Sequence, residues 1–250
     1  MALPYKILVL AQTTSTNSYL LERPELLRHP GQVVRSIRQT AGRGRRGRVW
    51  EGGSGNLYFS LVFDPSGYDA PSHSYTLLAG LALHRALEVM GLRGHGLKWP
   101  NDLLWEDRKL AGILTERKVT PEGERLVIGI GVNILGDSSQ FGLEIKSHSV
   151  TLEETEVITG PEQVLEQFLK SWHKLLQDLQ ASGLGPLFLD WEGRSQSMGK
   201  RIWFESQGNW QRGLIQGLGS EGGLLVTDGE GNLQQVMSGE TSFTPPRETQ

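Results

Sequence analysis

The sequence predicts an α/β chain of two unequal parts, strands and helices over residues 1–196 and a small antiparallel β-barrel over 197–250. Three observations carry this expectation. Short apolar segments such as Leu57–Phe63 alternate with helical stretches through the first part. Pro161–Ser182 places Val164, Leu165, Phe168, Leu169, Trp172, Leu175, Leu176 and Leu179 on one helical face. After Gly199 the texture changes to short alternating runs between glycine-rich turns, as in small β-barrels.

Tyr5–Leu10 is apolar and partly β-branched, as a strand requires. Thr13-Thr14-Ser15-Thr16-Asn17 offers hydroxyl caps for a short helix that Pro24 closes. Gln32–Arg38, with Val33, Val34 and Ile37, is a second strand. An arginine–glycine loop, Gly42–Arg48, and a glycine-rich stretch, Gly52–Gly55, lead into Leu57–Phe63, which ends at the turn signal Asp64-Pro65-Ser66-Gly67. Ser74–Met90 is mostly apolar all round, which suits a buried helix stopped by Gly91. Leu103–Trp105 and Leu110–Leu114 flank the tight polar connection Glu106-Asp107-Arg108. Leu126–Ile134 is a buried strand whose two glycines mark close approach of a ligand or another backbone. Pro161 and Gly183 frame the long helix with the usual proline-first, glycine-last asymmetry. The barrel segments are Arg201–Glu205, Trp210–Gln216, Leu224–Thr227 and Gln234–Met237, and the boundary falls near Ser195–Gly199.

Composition narrows the function. A net charge of −3 gives no global basic field for nucleic acid or anionic membrane. The absence of cysteine excludes disulfides, thiolate metal sites and a cysteine nucleophile, and fits a cytoplasmic protein. No run approaches the roughly 20 apolar residues of a membrane span, and no signal peptide is expected at Met1–Lys6.

Gly42-Arg43-Gly44-Arg45-Arg46-Gly47-Arg48 matches G-x-G-x-x-G, but a dinucleotide site needs a helix directly afterwards and an acidic residue further on. Here Val49-Trp50 leads into glycines and a strand. Four guanidinium groups in seven residues instead suggest an anion clamp. Two such charges about 6 to 7 Å apart repel by about 2.5 kcal/mol at an effective dielectric of about 20. The loop is therefore expected to close only on a negative ligand, its arginine forks matching carboxylate or phosphate. The bland alternative is a solvated arginine loop that binds RNA or nothing. A second cluster is Lys98-Trp99-Pro100-Asn101-Asp102-Leu103 followed by Arg108-Lys109-Leu110. Lys109 enters an apolar strand, so its ammonium points into a site or to water. The Asn-Asp pair suits Mg²⁺ or a nucleotide hydroxyl. No Walker-type P-loop is present.

Taken in order, Ser15-Thr16-Asn17, Gln39 with Gly42–Arg48, Lys98–Asp102, Lys109–Leu114 and Gly129–Asn133 resemble the motifs of biotin–protein ligases. The resemblance implies a mixed sheet flanked by helices and a small C-terminal SH3-like module. It also implies ATP and biotin as substrates with Mg²⁺, and a biotin carboxyl carrier protein, such as that of acetyl-CoA carboxylase, as acceptor. By that resemblance Ser15, Thr16, Asn17 and Gln39 bind biotin, Asn17 also serving helix-start architecture. Arg43, Gly44 and Arg45 fold over biotin and the adenylate. Lys109 contacts the biotin carboxylate and the α-phosphate, and Arg45 shares its catalytic role. Asn101, Asp102 and Asn133 lie near the triphosphate, Asp102 as the candidate Mg²⁺ ligand, and Trp50 covers the adenine. Some members carry an N-terminal DNA-binding domain. This chain starts close to its first catalytic strand, so a ligase without specific DNA binding is expected, as a monomer or homodimer. Lipoate–protein ligase is the nearest alternative, separated by a pyrophosphate-release assay with each acid. An RNA-binding protein would bind RNA without consuming ATP, and an inactive biotin sensor would release no pyrophosphate.

Overall fold

A computed structural model describes residues 3–53, 55–136, 148–155, 157, 159–206 and 208–245. Ser54, within the predicted glycine-rich stretch, lies outside them. The main sheet has seven strands in the order β1-β2-β3-β7-β6-β5-β4. These are Lys6–Thr13, Gln32–Gln39, Leu57–Phe63, His95–Lys98, Asp102–Trp105, Arg108–Thr120 and Gly123–Val132 for β1 to β7. Only β1 and β2 are parallel; the other neighbours run antiparallel, so the sheet is mixed as expected.

Both faces are covered, and this explains the unbroken apolar run of β3. Phe59, Leu61 and Phe63 face helices α3 (Ser74–Val89) and α4 (Pro161–Ser182). Phe63 packs edge-on against Trp172 at 5.4 Å and Phe59 meets Phe168 at 5.1 Å. Tyr58, Ser60 and Val62 alternate to the opposite face. There Val62 joins Leu20, Leu27, Val34 and Val127 beneath two short helices, α1 (Thr16–Leu21) and α2 (Pro24–Leu27). Pro24 thus opens a second helix as well as ending the first, because proline at a first helical position surrenders no needed N–H.

Strand β4 and helix α2 have no counterpart in the expectation, and two longer elements depart from it as well. Helix α5 (Leu184–Gly193) was not foreseen, since Gly185-Pro186 in its first turn has the composition of a loop. Strand β6 runs six residues past Leu114 to Thr120, carrying Glu116, Arg117 and Lys118 on a partly exposed hairpin with β7.

The C-terminal strands β8 to β12 (Arg201–Ser206, Asn209–Leu218, Leu224–Thr227, Leu233–Val236, Thr241–Ser242) form an antiparallel sheet ordered β11-β10-β9-β8-β12. The expected barrel is an open sheet: β12 has two residues and β11 four, too short for the edges to join around a tilted cylinder. Ile202, Phe204, Ile215 and Val226 pack into the same apolar cluster as the main sheet. Ahead of it, Arg194 and Gln196 bond to Leu97 along β4 and so cover that edge.

Candidate active site

The sheet face carrying α1 is paved with glycine where β6 and β7 pair. Gly112 lies opposite Gly131, and Leu114 opposite Gly129. A Cβ on Gly131 would stand 2.6 Å from the Trp50 indole, and one on Gly112 2.7 Å from it. A Cβ on Gly129 would stand 2.2 Å from Asn17 Oδ1. The close approach foreseen at these glycines is therefore by two side chains, Trp50 and Asn17.

Asn17 is the pivot of the polar end. Its Nδ2 donates to Leu114 O (3.1 Å) and Glu116 Oε2 (2.8 Å), and its Oδ1 accepts from buried Ser60 Oγ (2.5 Å). Ser60 Oγ also lies 2.7 Å from Thr16 Oγ1. Gln39 Oε1 accepts from the Thr16 N–H at 2.8 Å, so a residue of β2 satisfies the start of α1. The expected hydroxyl cap is absent: Ser15 occupies the N-cap position without a side-chain cap bond.

Lys109 reaches this face through a bulge. Leu104 pairs with Lys109 but Leu103 pairs with Ala111, leaving one extra residue on β6. Strict alternation would send Lys109 the way of buried Ala111 and Ile113, into the core. The bulge turns it instead over Gly112, whose Cβ position is 3.3 Å from Lys109 Nζ. The ammonium pairs with Asp102 Oδ1 at 2.6 Å and stands 5.2 Å from the Trp50 ring centroid. The Lys109 backbone is held by His148 O, Val150 N and Asn133 Nδ2.

The arginine loop folds as a tight hairpin around a 3-10 turn at Arg45–Gly47, with Trp50 N donating to Gly42 O (2.9 Å). Among the described residues the next element after it is strand β3, as the argument against a dinucleotide site requires. Its like charges meet carboxylates of the chain itself. Arg43 pairs with Glu116 (2.7 Å), Arg46 with Glu205 and Arg48 with Glu240 (2.7 Å). Arg45 donates to Gly239 O at 3.2 Å and lies 3.4 Å from Asn101 Oδ1. The protein's own carboxylates neutralise the repulsion that the local sequence leaves open. Burial, then the neighbouring Arg46 charge, holds the Arg45 guanidinium below its ordinary range.

One cavity joins these parts. It is lined by Ser15, Thr16, Asn17, Gln39, Arg43, Gly44, Arg45, Trp50, Asn101 and Lys109 together with Arg48 and the glycines. Four cations face it and no lining residue is acidic; Glu116, Asp102 and Glu240 sit behind them. Asp102 and Asn133 stand outside the lining, the first on the Lys109 ammonium and the second on its carbonyl. Glu116, Ser60, Glu205 and Glu240 were not singled out by sequence, since only pairing across distant strands gives them their roles. Lys98 had no assigned role either. Burial pulls its ammonium below the usual lysine range against the opposing pull of Asp102, and it stands 5.4 Å over the Phe243 ring.

Fold and site define a class: an α/β protein with a glycine-floored slot that ends in fixed cations suited to an acid and a phosphate. The comparisons agree. Residues 9–133 match the biotin/lipoate A/B protein ligase family. The chain is 31% identical to the biotin–[acetyl-CoA-carboxylase] ligase of Paracoccus denitrificans, covering 94% of this chain and 99% of that protein. It is 32% identical to the bifunctional ligase/repressor of Bacillus spizizenii over 84% of this chain, and spans 65% of that protein's length. The biotin protein ligase of Aquifex aeolicus in complex with biotin and ATP superposes with a TM-score of 0.81 at 29% identity, covering 94% and 97% of the two chains. The chain belongs to the biotin/lipoate A/B protein ligase family.

Proposed function

We propose that the chain is a biotin–protein ligase, which joins biotin to ATP as biotinyl-5′-AMP and then passes the biotinyl group to a lysine of a biotin carboxyl carrier protein. One observation carries the reading. The arginine loop and Lys109, 61 to 67 residues apart in sequence, line one cavity whose other end is the Ser15–Thr16–Gln39 cluster.

In the first step a biotin carboxylate oxygen attacks the α-phosphorus of ATP; the new P–O bond replaces the bond to pyrophosphate, which leaves. Lys109 would stand between acid and phosphate, its charge pre-oriented by Asp102, where developing negative charge needs a fixed cation. Arg43, Gly44 and Arg45 would cover the adenylate, and Trp50 the adenine. Ser15, Thr16 and Gln39 would meet the ureido ring, with Asn17 holding their frame. Asn101 and Asn133 serve the triphosphate side, the second through the Lys109 backbone. In the second step the neutral amine of the carrier lysine attacks the acyl carbon, an amide forms, AMP leaves and the amine sheds a proton.

The donor set fits a Mg²⁺ that arrives on the nucleotide. Among the described residues no three His, Cys, Asp or Glu side chains form a cage, so phosphates and water would supply most of its ligands, and Asp102, whose Oδ1 is held by Lys109, would have only its other oxygen left for the ion. Bound there, it would neutralise phosphate charge. No helix among the described residues is long and apolar enough to cross a membrane, and we place the enzyme in the cytoplasm.

The test is pyrophosphate release with biotin or lipoate as the acid, followed by labelling of a carrier domain. Biotin-dependent release and labelling of the carrier are expected. Release with lipoate alone, or none with either acid, overturns the reading.

A further inference from the structure

Three contacts from one patch of the C-terminal sheet converge on the arginine loop. Glu205, on β8, pairs with Arg46. Glu240, just before β12, pairs with Arg48 at 2.7 Å. Gly239 O, next to it, accepts from Arg45 at 3.2 Å. The patch is one rigid piece: Glu205 N donates to Glu240 O (3.0 Å), and Phe204 pairs with Thr241 across the strands. It is anchored to the floor of the site, because Thr241 Oγ1 donates to Trp99 O (2.8 Å), one peptide before Pro100-Asn101.

We propose that Glu205 and Glu240 are positioning residues that hold the arginine loop over the cavity, making the C-terminal sheet the keeper of the clamp. The loop's four like charges would otherwise drive it open. The two carboxylates remove that repulsion at Arg46 and Arg48, while Arg45, between them and the cavity, stays aimed inward. Neither carboxylate lines the cavity, so both act on the reaction only through the loop. The role in catalysis rests on the ligase reading; the placement of the loop does not.

The experiment is hydrogen–deuterium exchange of the ligand-free full chain, read on peptides covering residues 42–50. Protection there reports closure, since Gly44, Arg48 and Trp50 N–H groups are bonded within the loop. Exposed ion pairs are individually weak, so losing two should speed loop exchange about 3- to 10-fold in Glu205→Gln/Glu240→Gln. Exchange in α4 should not change, which checks that the variant folds. Glu230→Gln, in the exposed turn between β10 and β11, is the control for losing a carboxylate remote from the loop. Raising NaCl from about 0.05 to about 0.5 M should speed loop exchange in the wild type and do so less in the double variant, where of the loop's three ion pairs only Arg43–Glu116 remains. The swap Arg46→Glu/Glu205→Arg should restore protection lost in Glu205→Arg. Adenylate retention in the double variant should fall by a similar factor. Loop exchange equal to that of Glu230→Gln, with no salt response, overturns the proposal. A failed pyrophosphate assay would sink the ligase reading and leave the exchange result standing.

Discussion

Gly129→Ala tests the site's construction at one atom. Gly129 has no left-handed backbone angle, so alanine itself fits the strand. The cost comes from its methyl, placed 2.2 Å from Asn17 Oδ1, 2.8 Å from Cγ and 3.1 Å from Nδ2. The whole amide must leave. Three hydrogen bonds go with it, to Ser60, to Leu114 O and to the Glu116 carboxylate. Two ordinary bonds at about 0.5–1.5 kcal/mol and one charge-assisted bond at about 1.5–3 kcal/mol total about 2.5–6 kcal/mol. Removing a glycine from the unfolded chain returns about 0.4–1 kcal/mol. The net loss is about 2–5 kcal/mol, a fall in melting temperature of about 4–20 °C for a chain of this size. Calorimetry and biotin titration together are the assay: both stability and biotin affinity should drop. Asn17→Ala removes the obstacle, so the double variant should be no less stable than Asn17→Ala alone. An unchanged melting point in Gly129→Ala, or fully additive losses in the double variant, would refute the packing argument.

Other outcomes follow from the same geometry. Lys109→Ala should lower biotin-dependent pyrophosphate release by about 100-fold or more while the protein stays folded by circular dichroism; normal adenylation would remove Lys109 from the chemistry. Arg45→Gly should release the adenylate early and label bystander proteins, which mass spectrometry of a protein mixture would detect; strict labelling of the carrier alone would contradict the retention role. Acid should destabilise the fold through His84. Burial, then His95 and Arg194, holds its imidazole down to about 3, against about 6.5 when unfolded. The unfolded chain therefore takes up the proton first, so this stability is complete above pH 6.5 and is lost as pH falls towards 3. By pH 5 the loss is about 2 kcal/mol. Denaturant unfolding at pH 7 and 5 should show a smaller difference in His84→Gln, and an equal difference would count against the assignment.

Much of the frame was legible because it is encoded locally. The period of α4 and the bounds of β3 coincide with the apolar pattern, since burial of one face is a property of neighbouring residues. The helix α5 hid behind Gly185-Pro186, where loop chemistry and a helical first turn share a composition. Order and spacing of the motifs sufficed to bring Ser15, Thr16, Gln39, Arg43, Arg45, Asn101 and Lys109 to one cavity.

The sequence by itself determined the family, the α/β class and the cationic character of the loop, because these reside in residue types and their spacing. Only the tertiary structure decided which way Lys109 points, since a bulge in the β5–β6 register reverses strand alternation without leaving a mark on composition. It alone decided that the arginine loop rests on Glu116, Glu205 and Glu240, carboxylates 73 to 192 residues away from their partners. Charge neutralisation acts through space, and separation along the chain says nothing about it until the two sheets are packed together.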